Sequence, residues 1–192
     1  MALVTRRIPS HVVGFDDAPF DRSWRGDVPV VGAVFAGNRL EGILYGRVRR
    51  DGANAAAVLA RMVSGSRFAQ HLQLIMLQGV ALAGFNVVDV FLLNRRTGLP
   101  VLVVARVEPD YGAIRKALEE RVRGGARKWR LIERLGPMER CGRVWVQRVA
   151  LTFAEAESIV ERLALHSVVP EPLRVAHAVA GGIARGESRG RV

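Results

Sequence analysis

Two hydrophobic rhythms alternate along the chain and outline its elements. The run from His11 to Asp16 is apolar and ends in a pair of acids, which predicts a buried strand followed by a turn. Two β-rich runs come next, Val28 to Ala36 and Arg39 to Arg49, and the turn pair Gly37-Asn38 between them predicts a hairpin. From Ala53 to Phe68 the period changes: Ala56, Leu59, Ala60 and Val63 recur at three and four, giving a helix with one buried face. Leu72 to Leu77 is a short apolar strand closed by Gly79. Val88, Phe91 and Leu92 give Phe85 to Arg96 a helical pattern, with Gly98 as its stop.

The second half continues the alternation. Val101 to Val107 predicts a strand, Tyr111 to Arg123 a polar helix, Ala126 to Leu135 a second short helix and Arg143 to Ala150 another strand. Thr152 with Glu155 forms a capping box for a helix to about Leu165, and Pro172 begins a last helix to about Ala184. Three consecutive strands followed by alternating helices and strands predict an α/β domain with a mixed sheet and helices on both faces, the order of a ribonuclease-H-like fold. A single domain is expected over residues 1–192, with a basic arm at 1–10 and a tail at 185–192.

Composition narrows the setting. A hydrophobic content of 49% over 192 residues is enough for a core without staples. The lone Cys141 excludes an intrachain disulfide framework or a cysteine zinc site and points to a reducing compartment. The segment MALVTRRIPS has too few apolar residues before its arginines for a signal peptide, and no apolar run reaches spanning length. The expectation is a cytoplasmic protein with no membrane partner. The formal charge of +11 rests almost wholly on arginine, since Lys116 and Lys128 are the only lysines. Arginine matches phosphate geometry, so DNA or RNA is the expected partner, although solvated basic helix faces have the same composition. Aromatic residues at 6% favour backbone contacts over a stacking platform.

Asp16 and Asp17 end the first strand, where side chains reach the crevice at the edge of an α/β sheet. Consecutive strand residues point to opposite faces, so only one of the two is expected to line a given site. Asp51, before the first helix, and Asp89 could converge on them from other segments, a set suited to Mg2+ or Mn2+. Asp51-Gly52 is equally an ordinary turn, and Asp89 could simply face solvent. Gln78 ends the fourth strand and brings no charge to a metal. Gly84, Phe85 and Asn86 are expected to open a helix whose amides take a phosphate, or only to make a tight turn. Arg47, Arg49, Arg127 and Lys128 are the expected nucleic-acid contacts, within a basic run that includes Arg121, Arg123, Arg130 and Arg134. The four histidines show no ligand spacing and are read as structural or surface residues.

The segments HVVGFDDAPF, LQGVALAGFNVVDV, TGLPVLVVARVEPD, PEPLRVAHAVA and GESRGR, in that order, closely resemble the archaeal family called domain of unknown function 99. More distantly the chain is similar to endonuclease V, a magnesium-dependent nuclease of ribonuclease-H-like fold that cuts near deaminated adenine. That resemblance implies a metal-binding role for Asp16 and, by conjecture, for Asp17. It puts Gln78-Gly79 where the nuclease has Asp-Gly, Arg106 where it has lysine, and His177 where its Pro-Glu-Pro motif carries an aspartate. The expected function is nucleic-acid binding with metal-dependent cleavage centred on Asp16 and assisted by Asp17, Asp51 or Asp89, with Arg106 in the place of the nuclease's lysine. The alternative is a module that binds nucleic acid or nucleotide on the old scaffold without cutting it.

Overall fold

The computed structural model describes residues 9–189; the arm at 1–8 and the end of the tail at 190–192 lie outside them. Seven strands form one mixed sheet in the order β3-β2-β1-β4-β7-β9-β8. Its centre is β1 (His11–Asp17), β4 (Leu74–Gln78) and β7 (Val101–Ala105), which run parallel. On one flank, β2 (Asp27–Ala36) and β3 (Arg39–Arg49) make the expected hairpin, antiparallel to β1 and to each other. On the other, β9 (Val144–Val149) pairs antiparallel with β7 and carries the short edge strand β8 (Glu139–Cys141).

Alternation along the central strands divides the core into two faces. Val13, Phe15, Ile75, Leu77, Val101 and Val103 pack with α1 (Ala55–Ser64) and α2 (Val90–Thr97). Val12, Leu74, Met76, Leu102 and Val104 pack with α5 (Phe153–Leu163) and with Leu173 of α6 (Glu171–Arg185). Helix α6 lies across β1 and β2, and its approach is set by Gly14: a Cβ there would stand 2.5 Å from the Pro172 carbonyl carbon. Two further helices, α3 (Tyr111–Arg121) and α4 (Gly125–Leu135), pack on each other beside the sheet around Leu118 and Ile132. The capping box of α5 forms as expected, with Thr152 and Glu155 each accepting the other's backbone N–H.

Two expectations need correction. The helix expected from Phe85 begins only at Val90, because Asn86–Val87 is a strand (β6) paired with Ala81–Leu82 (β5). Asn86 forces this: its buried amide donates to the Arg49 carbonyl and to Asn54 Oδ1, both at 2.8 Å, and accepts from Ala55 N at 3.1 Å. Those partners lie outside its own segment, so no local periodicity reveals them. Strand β8 was not expected, its three residues being too short to show an alternation. Among the described residues, no helix is long and apolar enough to cross a membrane.

Candidate active site at the carboxyl edge of the sheet

The parallel strands β1, β4 and β7 end on the same edge, and the crevice outside the carboxyl ends of such strands is where α/β proteins place their ligands. Asp16 ends the Val12, Gly14, Asp16 row on the α5/α6 face. Phe15 pairs with Leu77, so Gln78 is the next position beside Asp16; Arg106 continues the Leu102, Val104 row one strand further.

Asp16 is buried, 5% exposed. Its Oδ2 lies 2.8 Å from His177 Nδ1, and its Oδ1 accepts the Asp17 backbone N–H at 2.9 Å. Burial raises the Asp16 carboxyl above the ordinary carboxylate value, against the pull of His177. The bond to Asp16 in turn holds His177 above the ordinary imidazole value. His177 also lines a groove of about 1000 Å³ between α5, α6 and the β8-β9 hairpin. Arg106, Arg143, Arg174 and His166 share its walls, with Glu157 and Glu161 on α5. A buried carboxylate that orients an imidazole at the wall of a basic groove can hold a phosphodiester and move a proton at it.

Asp17 turns to the opposite face, where its Oδ2 accepts from Ala83 N at 3.0 Å. Burial first, and the neighbouring Asp16 charge second, push its carboxyl up to about 7. Ala83 returns its carbonyl to Asp51 N at 2.9 Å, and the Asp51 carboxylate accepts from Phe85 N at 2.8 Å, with Arg50 Nε at 3.2 Å. Asp51 and Ala83 both sit at φ 49°, in the left-handed region that non-glycine residues seldom occupy. Gly84 lets this junction close, since a Cβ there would stand 2.5 Å from Asp51 Oδ1. Lys128 completes it, buried, with Nζ donating to the Asp51 carbonyl at 2.5 Å. Hydrogen bonds therefore run unbroken from α6 to α4 through His177, Asp16, Asp17, Ala83, Asp51 and Lys128.

The structure thus separates the residues singled out from sequence. It brings Asp16 and Arg106 to one edge and puts Asp17 and Asp51 behind it in a closed junction. Asp89 stands apart as the N-cap of α2, accepting from Leu92 N at 2.8 Å. Asn86, Gly84 and Lys128 spend their polar or steric character inside the protein. The Phe85 amide expected to meet a phosphate is bonded to Asp51 instead. Arg127 is exposed on α4. Arg47 and Arg49 are exposed on β3, two strands from Asp16; Arg47 Nε donates to Tyr45 Oη, and Arg49 stands 3.6 Å from Asp27. His177, set aside in the sequence reading, sits on Asp16; the one signal for it was its place in the Pro-Glu-Pro motif, where the nuclease has an acid. Among the described residues, no three His, Cys, Asp or Glu side chains gather as a metal cluster.

Sheet order and edge geometry define the class: a ribonuclease-H-like α/β domain with the architecture of endonuclease V. The catalytic domain of human endonuclease V matches with a TM-score of 0.60 over 92% of this chain and 83% of its own, at 13% identity. Endonuclease V of Ciona intestinalis, solved with DNA containing an inosine, matches with a TM-score of 0.54 over 87% and 82%, also at 13% identity. Within that class the chain belongs to the endonuclease dU family, whose family model matches residues 9–184. A UPF0215 protein of Deinococcus radiodurans is 58% identical over 95% of this chain and 93% of its own length. One of Methanothermobacter thermautotrophicus is 43% identical over 96% and 94%. Such relatives are therefore not confined to archaea. A crystal structure from Archaeoglobus fulgidus, described as a protein of unknown function, matches at 35% identity with a TM-score of 0.84 over 90% and 97%.

Proposed function

We propose that the protein is a divalent-metal-dependent endonuclease that hydrolyses DNA beside a deaminated base, deoxyuridine first, and that Asp16 and His177 carry the chemistry. The observation that carries this reading is the buried Asp16–His177 pair at the wall of an arginine-lined groove on the carboxyl edge. The choice of lesion rests on the name of the endonuclease dU family and on the likeness to a nuclease solved with inosine-containing DNA. A cytoplasmic location agrees with a single, buried, free cysteine.

The donor set at the edge suits a hard ion. Gln78 Oε1 is buried without a hydrogen-bond partner, beside the Asp16 carboxylate in the sheet. Oxygen donors of this kind fit Mg2+ or Mn2+ better than zinc, and so few of them suit an ion completed by water and phosphate oxygens. When bound, such an ion neutralises phosphate charge and makes its water more acidic. The protein's own part is positional and protonic. Asp16 fixes the His177 ring through Nδ1 and leaves Nε2 to exchange a proton with water in the groove. Arg106 and Arg143 supply positive charge along the phosphate path. As the water oxygen bonds to phosphorus and gives up one proton, one P–O ester bond breaks and the leaving oxygen takes up one proton, so that water is the only reactant consumed.

A second reading has its own observation: glutamine rather than a carboxylate ends β4, which favours a domain that binds nucleic acid without cutting it. End-labelled duplexes carrying deoxyuridine, deoxyinosine or neither, incubated with Mg2+, Mn2+ or EDTA, separate the two. The nuclease reading expects metal-dependent cutting at deoxyuridine that Asp16→Asn abolishes. Binding without cutting in either metal would overturn it in favour of the second.

A further inference from the structure

The basic residues of α4 divide between its two sides in a way the nuclease site does not use. Gly125, Lys128 and Ile132 are buried, and Lys128 is committed to the Asp51 carbonyl. Arg127, Arg130 and Arg134 fall within about 60° of arc on the opposite side and span about 10 Å of helix axis, at 100° and 1.5 Å per residue. Arg127 and Arg130 are exposed, and among the described residues neither has a carboxylate partner. Nearby acids are engaged elsewhere: Glu133 accepts from Trp129 Nε1, and Glu119 pairs with Arg115. Arg134 is held over the Phe91 ring of α2 at 4.3 Å, and Arg95, exposed one turn beyond Phe91, carries the positive track onto that helix.

From this placement we infer that the outer face of α4, through Arg127, Arg130 and Arg134, grips the phosphate backbone of duplex DNA outside the active groove. Three guanidinium groups in a row, with the flanking Glu133 engaged by Trp129, match a polyanion, since B-DNA presents about six charges over 10 Å of its axis. The stripe begins beside Lys128, whose bond to Asp51 fastens α4 to the closed junction behind the active edge. Lys128 is the fastening and not a contact. The inference rests on the nuclease reading only for the choice of DNA as the polyanion.

The test is fluorescence-anisotropy titration of a labelled 30-base-pair duplex with one deoxyuridine, over a series of KCl concentrations, in an Asp16→Asn background that prevents turnover. Arg127→Gln/Arg130→Gln is expected to weaken binding at least tenfold at physiological salt and to lower the slope of log affinity on log salt by about 1.8, that is 0.9 for each phosphate contact. Arg95→Gln/Arg130→Gln, which spreads the change over two helices, is expected to lower the slope similarly and keeps the test open should the first pair fold poorly. Arg162→Gln on α5 should leave the slope unchanged. Slopes and affinities within twofold of the parent, or an equal loss from Arg162→Gln, would overturn the inference. The two readings fail separately: wild-type cutting with an unaltered slope removes the stripe and keeps the nuclease, whereas slope loss without any cutting keeps the stripe and removes the nuclease.

Discussion

Asp16 and Asp17 are adjacent residues of one type on one strand, yet they serve opposite sides of the sheet edge. On the Asp16 side the carboxylate meets an imidazole that borders an open, arginine-lined groove. On the Asp17 side every neighbour is spoken for: Asp17 holds Ala83, Ala83 holds Asp51, and Asp51 holds Phe85 and Lys128. A buried polar group whose bonds close among themselves fixes structure, whereas one whose partner keeps a face toward a groove can act on a ligand. Burial alone does not separate the two aspartates; the destination of their hydrogen bonds does.

The sharpest way to break this comparison is to neutralise each acid in turn. Asp16→Asn is expected to lower metal-dependent cleavage of deoxyuridine DNA by about 10²- to 10⁴-fold, the range for disabling a proton-transfer group, because the His177 ring loses the carboxylate that orients it. Asp17→Asn keeps an acceptor for Ala83 N and should stay within about threefold of wild type, given that a carbonyl oxygen can replace the carboxylate there. Equal losses in single-turnover assays would erase the distinction between the two sides.

Next in size is Asn86→Ala. Removing the amide leaves Ala55 N without its partner and takes one donor each from the Arg49 carbonyl, which keeps Gly52 N, and from Asn54 Oδ1, which keeps Arg49 N. The cost should be about 2–4 kcal/mol, a fall in melting temperature of roughly 5–15 °C for a chain of this size. The salt dependence of DNA binding should not change, because the Asn86 side chain is wholly internal. A changed slope with an unchanged melting temperature would return Asn86 to the nucleic-acid interface.

A smaller effect has a definite sign with pH. Asp17 has a carboxyl value of about 7 in the fold against an ordinary 3.8, so between those pH values the folded chain holds a proton that the unfolded chain has lost. Its contribution is therefore fully present below about pH 4 and is lost as pH rises through 7. Asp17→Asn removes that loss. It should stabilise the protein by about 1–3 kcal/mol at pH 8 and by almost nothing at pH 4, read by thermal melting across pH. A gain of the same size at both pH values would mean that the carboxyl does not titrate in this range.

How much of this could be read beforehand follows from the range of the interactions involved. The opening hairpin, the separate apolar strands and the α5 cap were legible because each depends on residues close in sequence: Gly37-Asn38 between two β-rich runs, Thr152 with Glu155 three residues on. Asp16 was legible as the acid ending an apolar strand, and alternation already separated it from Asp17. Asn86 was misread as a helix opening because its partners Arg49, Asn54 and Ala55 lie more than thirty residues away. His177 is 161 residues from Asp16, and no spacing rule spans that distance. Lys128 looked like one more basic residue on a basic helix; only the fold shows that its charge points inward.

Asp89 provides the smallest and cleanest test, since it is an acid near the edge that geometry assigns wholly to structure. It has the extended backbone of an N-cap, and its Oδ1 accepts the Leu92 N–H, one of the donors that the first turn of a helix leaves unpaired. Asp89→Ala should cost about 1 kcal/mol, the usual loss of an N-cap, whereas Asp89→Ser should recover most of it because a hydroxyl can accept the same N–H. Neither change should alter cleavage by the folded protein, in any metal, by more than about twofold, since capping acts on stability alone. If cleavage falls in Asp89→Ala and returns only with a carboxylate, as in Asp89→Glu, the acid belongs with Asp16 and the division between the two sides of the edge has been drawn in the wrong place.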